Sequence, residues 1–346
     1  MENTAQIRLE KTKFSVLDLV PIVKDATAAE AIERSLDLAR HTENLGYTRF
    51  WISEHHNMES LASSAPTLLI GHIAGGTKTI RVGSGGVMLP NHAPLVVAEQ
   101  FGTLGTIYPG RIDLGLGRAP GTDQRTAMAL RRYRQETVQD FPNNIDELQT
   151  YFSVENATAP VRATPGEGVD IPLYLLGSST FSAELAGKKG LPYAFASHFA
   201  PTHLHHALRL YHENFKPSDQ LEKPYTMACV NVIAAETDED AQRLATSAKQ
   251  FMLGVIRNTR KPLSPPVDSM AGIWNEMEKM QIEQMMHYSF IGSKETIAKG
   301  LEQFQKETLV DEIIVISHIY DHAARLKSYK LVSEVFQNSN NAVYSS

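Results

Sequence analysis

The stretch FWISEHHN, residues 50–57, decides the fold class. Its apolar start stops abruptly in a hydroxyl, a carboxylate, two imidazoles and an amide. In a parallel (β/α)8 barrel the catalytic groups lie at the carboxyl ends of the buried strands, because the loops that follow those strands form the active face. The stretch therefore predicts a barrel strand with a functional site at its end.

Strand and helix patterns alternate on both sides of this stretch. The predicted strands cover residues 14–19, 47–53, 80–89, 111–117, 172–176, 193–197, 225–235 and 312–316. Eight strands alternating with helices are the number that a closed barrel needs. We predict one α/β domain, a TIM-type (β/α)8 barrel over residues 14–346, preceded by an N-terminal tail, residues 1–13. Insertions are expected at about 119–171, after the fourth strand, and at about 257–287, after the seventh.

Composition excludes several classes of partner. The net charge of −6 argues against nucleic acid, whose binding proteins cluster Lys and Arg on one face. The single cysteine, Cys229, cannot form an internal disulfide, which favours a reducing compartment. No uncharged apolar run approaches membrane-spanning length, so we expect a soluble cytoplasmic protein without a membrane partner.

Polar side chains follow many of the predicted strands and should converge on one face. These residues are Asp18, Glu54, His55, His56, Asn91, His92, Arg118, Ser178, Ser179, His198 and His318. An imidazole such as that of His55 suits acid–base chemistry, because its pKa lies near neutral pH; the alternative is a structural histidine. Glu54 and His56 lie on the same face of the strand and could bind a metal ion together. A metal-dependent barrel isomerase is therefore an alternative function.

Two further segments indicate an anion site. Residues 115–118, GLGR, do not complete a dinucleotide fingerprint, because Pro120 stands where the third glycine is required. Arg118 nevertheless lies at the end of a predicted strand. Its guanidinium either binds a phosphate or carboxylate group of a ligand or forms a surface salt bridge. Residues 177–182, GSSTFS, follow a strand and open a helix, so they present either an anion site or a simple N-cap.

Four motifs together carry a family resemblance: WISEHH at residues 51–56, VGSGGVMLP at 82–90, PLVVAEQ at 94–100 and PGRIDLGLGR at 109–118. Through them the chain resembles the bacterial luciferase-like monooxygenases, flavin-dependent (β/α)8 enzymes. The resemblance spans most of residues 14–336. It implies a monooxygenase that uses reduced FMN and O2 on an organic small molecule, in a site shielded from water. It also implies a separate flavin reductase as partner and a homodimer.

The resemblance assigns roles to individual residues. His55 matches the acid–base histidine near the flavin, and Arg118 matches the phosphate-binding arginine. Ser179 and Ser182 match hydroxyls on the same phosphate. Gly85 and Gly86 match a non-proline cis peptide against the flavin ring.

The remaining site residues are assigned to the surroundings of the flavin. Ser53 and Ser178 join the cofactor-binding set, whereas Glu54, His56, His198 and His318 support the site or line a substrate pocket. We assign no metal, since no matching ligands emerge along the other strand ends. Residue 117 is Gly117 where the luciferase α chain has a reactive cysteine, and we expect no light emission.

Two alternative functions are compatible with the same barrel. One uses a deazaflavin for hydride transfer, and the other binds flavin without catalysis. The substrate stays open, and the two insertions are where its specificity would reside.

Overall fold

The computed structural model describes residue 9 and residues 11–119, 122–130 and 138–341. Ten strands are present among them: β1 (Lys13–Asp18), β2 (Arg49–Ile52), β3 (Arg81–Ser84), β4 (Val87–Met88), β5 (Ile112–Gly117), β6 (Leu173–Gly177), β7 (Tyr193–Phe195), β8 (Thr226–Ala234), β9 (Ser289–Gly292) and β10 (Glu312–Ile316). Eight of them pair in parallel in the order β10-β1-β2-β3-β5-β6-β7-β8, and β8 pairs with β10 to close the circle. The closed barrel confirms the predicted fold class.

Helices surround the barrel. Their bounds are α1 (Ala28–Asn44), α2 (Pro66–Gly76), α3 (Pro94–Ile107), α4 (Gln124–Leu130), α5 (Phe141–Phe152), α6 (Thr180–Lys189), α7 (Leu204–Asn214), α8 (Asp238–Ile256), α9 (Glu276–Met285), α10 (Lys294–Thr308) and α11 (His322–Asn341). Thr27 and Glu30 form the capping box that starts α1. No helix in the described ranges combines the length and apolar character that crossing a membrane requires.

Strand β2 shows how alternate residues divide between two cores. Phe50 and Ile52 pack outward in the large cluster between barrel and helices, whereas Trp51 belongs to a smaller cluster with Leu17 and Tyr174. Trp51 donates through Nε1 to Asp113 at 3.1 Å, so this second cluster fills the barrel interior. These buried side chains pack the barrel interior.

The structure corrects two sequence expectations. The single strand expected over residues 80–89 is wrong: β3 ends at Ser84, and β4 begins only at Val87. Strand β9 was not predicted; it is short, and it extends the sheet beyond the closed circle by pairing with β8.

The segments outside the barrel strands are partly ordered into helices. The first expected insertion contains α4 and α5, with residues 120–121 and 131–137 lying outside the described part, and the second contains α9. Of the N-terminal tail, Leu9 and Thr12 are buried, and β1 begins at Lys13, one residue before the predicted boundary. The described part of the tail therefore packs against the barrel.

Candidate active site

A cavity of about 440 Å³ lies at the carboxyl ends of the barrel strands. Its walls are mostly apolar and include Leu17 of β1, Leu176 of β6 and Phe251 of α8. A wider groove, of about 880 Å³, runs between α8 and residues 268–279 and shares no lining residue with the cavity. The cavity is the candidate site, because barrel enzymes place their chemistry at this face.

Arg118 supplies a positive charge to the cavity wall. It follows β5 directly, and its guanidinium lies 4.1 Å from the ring centre of Phe181. Within the described ranges it forms no ion pair with a carboxylate, so the surface salt bridge weighed from the sequence is not made there. The guanidinium is thus available for an anionic ligand.

The start of α6 stands in the same wall. Ser179 occupies the N-cap position, but its side chain makes no capping hydrogen bond. Ser178 and Ser182 also line the cavity, and a Cβ atom on Gly177 would lie only 2.6 Å from Oγ of Ser182. Ser179 thus holds the N-cap position, as one of the two alternatives had it, but its hydroxyl does not cap the helix, so the N–H groups of the first turn can receive an anion.

His55 reaches the cavity from the end of β2. Its backbone N–H donates to the carbonyl of Ser63 at 3.2 Å, and the hydroxyls of Ser53 and Ser63 lie 3.1 Å apart. Ser53 and the imidazole of His55 both line the cavity. The two hydrogen bonds to Ser63 fix the backbone that carries the imidazole.

Gly85 and Gly86 line the cavity between β3 and β4, and the peptide bond between them is cis, as the resemblance implied. A Cβ atom on Gly85 would lie 2.8 Å from Cδ1 of Leu17, and one on Gly86 would lie 2.8 Å from the carbonyl oxygen of Gly115. Residue 86 therefore requires glycine, because it faces backbone, whereas a side chain at residue 85 would force Leu17 to move.

His198 and His318 bring two further imidazoles into the cavity lining. Burial, together with the neighbouring His318 and His55, lowers the pKa of His198 to about 3. Burial and the nearby Arg325 lower the pKa of His318 to about 4. The Asp18 carboxylate raises this pKa, but its effect is smaller. Both imidazoles are therefore neutral at physiological pH.

Glu54 lies behind the cavity rather than in its lining. It is fully buried and accepts hydrogen bonds from Nε2 of His56 at 2.8 Å, from Nε2 of His92 at 2.8 Å, from the N–H of Met88 at 2.9 Å and from Nδ2 of Asn91 at 3.3 Å. Burial alone would raise the pKa of Glu54, but these donors outweigh it and hold the pKa at about 2. The carboxylate ties the end of β2 to β4.

Glu54, His56 and His92 also form a group whose potential metal-ligating atoms lie within 4.8 Å of one another. His92 completes the group, so the expectation that Glu54 and His56 have no matching ligand along the other strand ends is wrong. The same atoms form a complete set of hydrogen bonds to the carboxylate, so the arrangement is accounted for without an ion.

The model of the family described as luciferase-like monooxygenase matches residues 12–312. The chain belongs to the luciferase-like monooxygenases. A protein named luciferase-like monooxygenase from Escherichia coli strain K12 is 52% identical over 93% of this chain and 96% of its own length. The N-acetyl-S-alkylcysteine monooxygenase of Bacillus subtilis is 32% identical over 93% of this chain and 97% of its own length.

Solved structures of these monooxygenases and their neighbours share the fold. Apo-MsnO8 is 34% identical, with a TM-score of 0.84 over 94% of this chain and 98% of its own. The oxygenating constituent of 3,6-diketocamphane monooxygenase from Pseudomonas putida, in complex with FMN, is 17% identical, with a TM-score of 0.73 and coverages of 95% and 98%. An F420-dependent secondary alcohol dehydrogenase, 14% identical, has a TM-score of 0.68 and coverages of 94% and 99%. The last two support the fold alone.

The structure brings together most of the residues singled out in this luciferase-like chain. Those that line the cavity are Ser53, His55, Gly85, Gly86, Arg118, Ser178, Ser179, Ser182, His198 and His318. Glu54 and His56 do not line it and instead support the end of β2. His92 was named at a strand end but not assigned to the site, because its bond to Glu54 crosses 38 residues of sequence. Phe251 and Met252 of α8 complete the wall; their helical pattern alone did not distinguish them from ordinary core residues.

Proposed function

We propose that this luciferase-like protein is an FMN-dependent monooxygenase that uses reduced FMN and O2 to oxygenate an organic small molecule. The observation that carries the proposal is the cavity itself, in which an unpaired guanidinium and an uncapped helix start adjoin apolar walls and imidazoles. The FMN-bound structural neighbour and the monooxygenase relatives support it.

The donor set fits the phosphate of FMN. Arg118 can pair with two phosphate oxygens, and the hydroxyls of Ser178, Ser179 and Ser182 can donate to the others. Gly85 and Gly86 leave the cavity free of side chains where the flat flavin ring would lie. When bound, reduced FMN would supply the electrons that activate O2.

The protein's own groups prepare the site for this reaction. Apolar side chains such as Leu17 and Met88 exclude water, which strengthens electrostatic interactions within the cavity. We assign the imidazole of His55 the role of acid and base, with a proton carried on a ring nitrogen facing the cavity. Gly117 offers no reactive thiol, and we propose that the reaction produces no light.

A deazaflavin-dependent hydride transfer is the second candidate, because an F420-dependent dehydrogenase shares the barrel. A deazaflavin also carries a phosphate group, so the proposed phosphate contacts of Arg118 and the start of α6 do not by themselves separate the two cofactors. A flavin-binding protein without catalysis is the third candidate, and it would make no use of His55.

A separate reductase would supply reduced FMN, and the buried, lone Cys229 supports a reducing cytoplasmic setting.

We also propose a homodimer. Three apolar side chains are exposed on two neighbouring helices, Leu68 on α2 and Val96 and Ile107 on α3, and we assign them to the dimer interface. Light scattering after size-exclusion chromatography measures the mass, and a monomer at micromolar concentration would refute the dimer.

The reaction is tested by oxygen uptake. Photoreduced FMN is mixed with O2 and the protein, with and without a panel of thioethers, ketones and N-acetyl-S-alkylcysteines. We expect a true substrate to lower the yield of H2O2 per O2 consumed and to gain one oxygen atom, as mass spectrometry with 18O2 would show. Turnover with F420 and none with FMN would instead establish the deazaflavin reaction, and FMN binding with no oxygenated product from any compound would favour the non-catalytic reading.

A further inference from the structure

The imidazoles of His198 and His318 hold polar atoms that no group in the described part of the chain satisfies. Nδ1 of His198 and both ring nitrogens of His318 are buried, and none has a hydrogen-bond partner among the described residues. Their side chains line the cavity and are more than nine-tenths buried. Leaving such atoms unpaired is costly, so they point to a ligand with a polar group.

Aromatic and aliphatic side chains surround the two rings. His318 stacks on Phe251 with ring centres 5.0 Å apart, and His198 meets Phe199 edge-on at 4.8 Å. Met252, Val255 and Met285 continue the wall from α8 and α9. A ligand that fits this part of the cavity has an apolar body and one polar head.

The charged groups near His198 and His318 indicate which polar head group the ligand has. The groups that act on them are His55, Arg325 and Asp18, and the last two already pair at 2.7 Å. No negative charge is therefore left over for either imidazole within the described ranges. A carboxylate entering here could bind both rings and could be neutralised by one proton taken up with it.

Resting on the proposed function, we propose that the substrate bears a carboxylate, and that His198 and His318 receive it together with one proton from solvent. The two carboxylate oxygens accept hydrogen bonds from the two rings. The proton resides on the pair formed by carboxylate and imidazole, which leaves the buried head group without net charge. The substrate's apolar part then lies along α8.

The test uses the FMN-loaded protein and two matched probes, octanoate and octanamide, which differ only in the head group. Isothermal titration calorimetry is carried out at pH 6, 7 and 8 in buffers of different ionisation enthalpy. We expect octanoate to take up about one proton and its Kd to weaken about tenfold per pH unit, because uptake of one proton sets that slope. The Kd of octanamide should not change with pH.

Variants identify the groups responsible. His318→Phe keeps the stacking on Phe251 but removes both nitrogens, and we expect octanoate to bind at least tenfold more weakly with a smaller pH slope. His318→Gln is the second variant should the first fail to fold, and His206→Phe, at an exposed position of α7, is the control. All of them should bind FMN as the unaltered protein does.

The outcomes separate the two proposals. Octanoate binding no tighter than octanamide at pH 6, or a Kd for octanoate that is independent of pH, would overturn the carboxylate assignment while FMN binding stands. An unaltered protein that does not bind FMN would overturn the proposed function itself.

Discussion

At the scale of single residues, His55 is the group whose loss should separate binding from chemistry. It lines the cavity but is not among the residues proposed to hold the FMN phosphate, so His55→Ala should leave the Kd for FMN nearly unchanged. We expect turnover to fall by about 10²–10⁴-fold, the usual contribution of a positioned acid or base. Stopped-flow rates with a substrate from the oxygen-uptake panel provide the measurement, and His206→Ala is the control. Unchanged turnover would remove His55 from the mechanism.

Glu54 makes stability depend on pH in a defined direction. Its pKa in the folded protein, about 2, lies below the ordinary value of 4.5. The stabilisation is therefore fully present above about pH 4.5 and is lost as pH falls towards 2, up to about 3 kcal/mol. We expect Glu54→Gln to lower the free energy of unfolding at pH 7. At pH 3 the decrease in the free energy of unfolding should be smaller. Urea unfolding at pH 7 and pH 3 measures both free energies, and Glu276→Gln at an exposed position is the control. A loss of stability in Glu54→Gln that is the same at both pH values would contradict the prediction.

Single residues were predictable where the sequence itself sets their position. The polar end of β2 and Arg118 at the end of β5 follow a buried strand directly, so their place at the active face could be anticipated. His92 could not be assigned to Glu54, because its role is a tertiary hydrogen bond. The unpaired nitrogens of His318 likewise depend on side chains from distant elements.

At the scale of elements, the junction of β6 and α6 shapes the part of the cavity wall that we propose to hold the FMN phosphate. A Cβ atom on Gly177 would lie 2.6 Å from Oγ and 2.7 Å from Cβ of Ser182, so Gly177→Ala must displace the start of α6. We expect FMN to bind at least tenfold more weakly, with little change for riboflavin, which lacks the phosphate. Gly254→Ala in α8 is the control, since its nearest neighbour would be at an ordinary 3.6 Å. Equal affinity of the Gly177 variant and the unaltered protein for FMN would contradict the placement of the phosphate.

Elements with strong local signals were predicted best. Helix α3 runs over Pro94–Ile107, as its leading proline and apolar pattern indicated. The break between β3 and β4 was missed, since apolar residues continue across Gly85 and Gly86. Strand β9 was missed because its four residues give too short a pattern, and its pairing with β8 is tertiary.

At the scale of the whole molecule, buried charges close the barrel interior opposite the cavity. Arg49 at the start of β2 donates to Glu312 at 2.8 Å and to Asp113 at 2.8 Å, while Tyr174 and Tyr225 add hydroxyl contacts. These residues come from five strands, β2, β5, β6, β10 and, just before its first residue, β8. Sequence patterns did not reveal the network, because only barrel closure brings its members together.

Removing the central cation of this network should destabilise the entire barrel. Arg49→Met leaves the buried Glu312 without its cationic partner and leaves Asp113 with Arg81 alone, which costs about 3–5 kcal/mol. The matched control is Arg243→Met, whose ion pair with Asp268 is exposed to solvent and should contribute little. Denaturant unfolding followed by circular dichroism compares the two, and equal stabilities would show that the buried network is not important for the fold.

We propose above that the cavity binds FMN through its phosphate at Arg118. Titration of FMN and riboflavin, followed by flavin fluorescence, into the unaltered protein and Arg118→Ala tests it most directly. We predict that FMN binds the unaltered protein about 10–100-fold more tightly than riboflavin, and that Arg118→Ala removes most of this preference. Equal affinities of the unaltered protein for FMN and riboflavin would contradict the account.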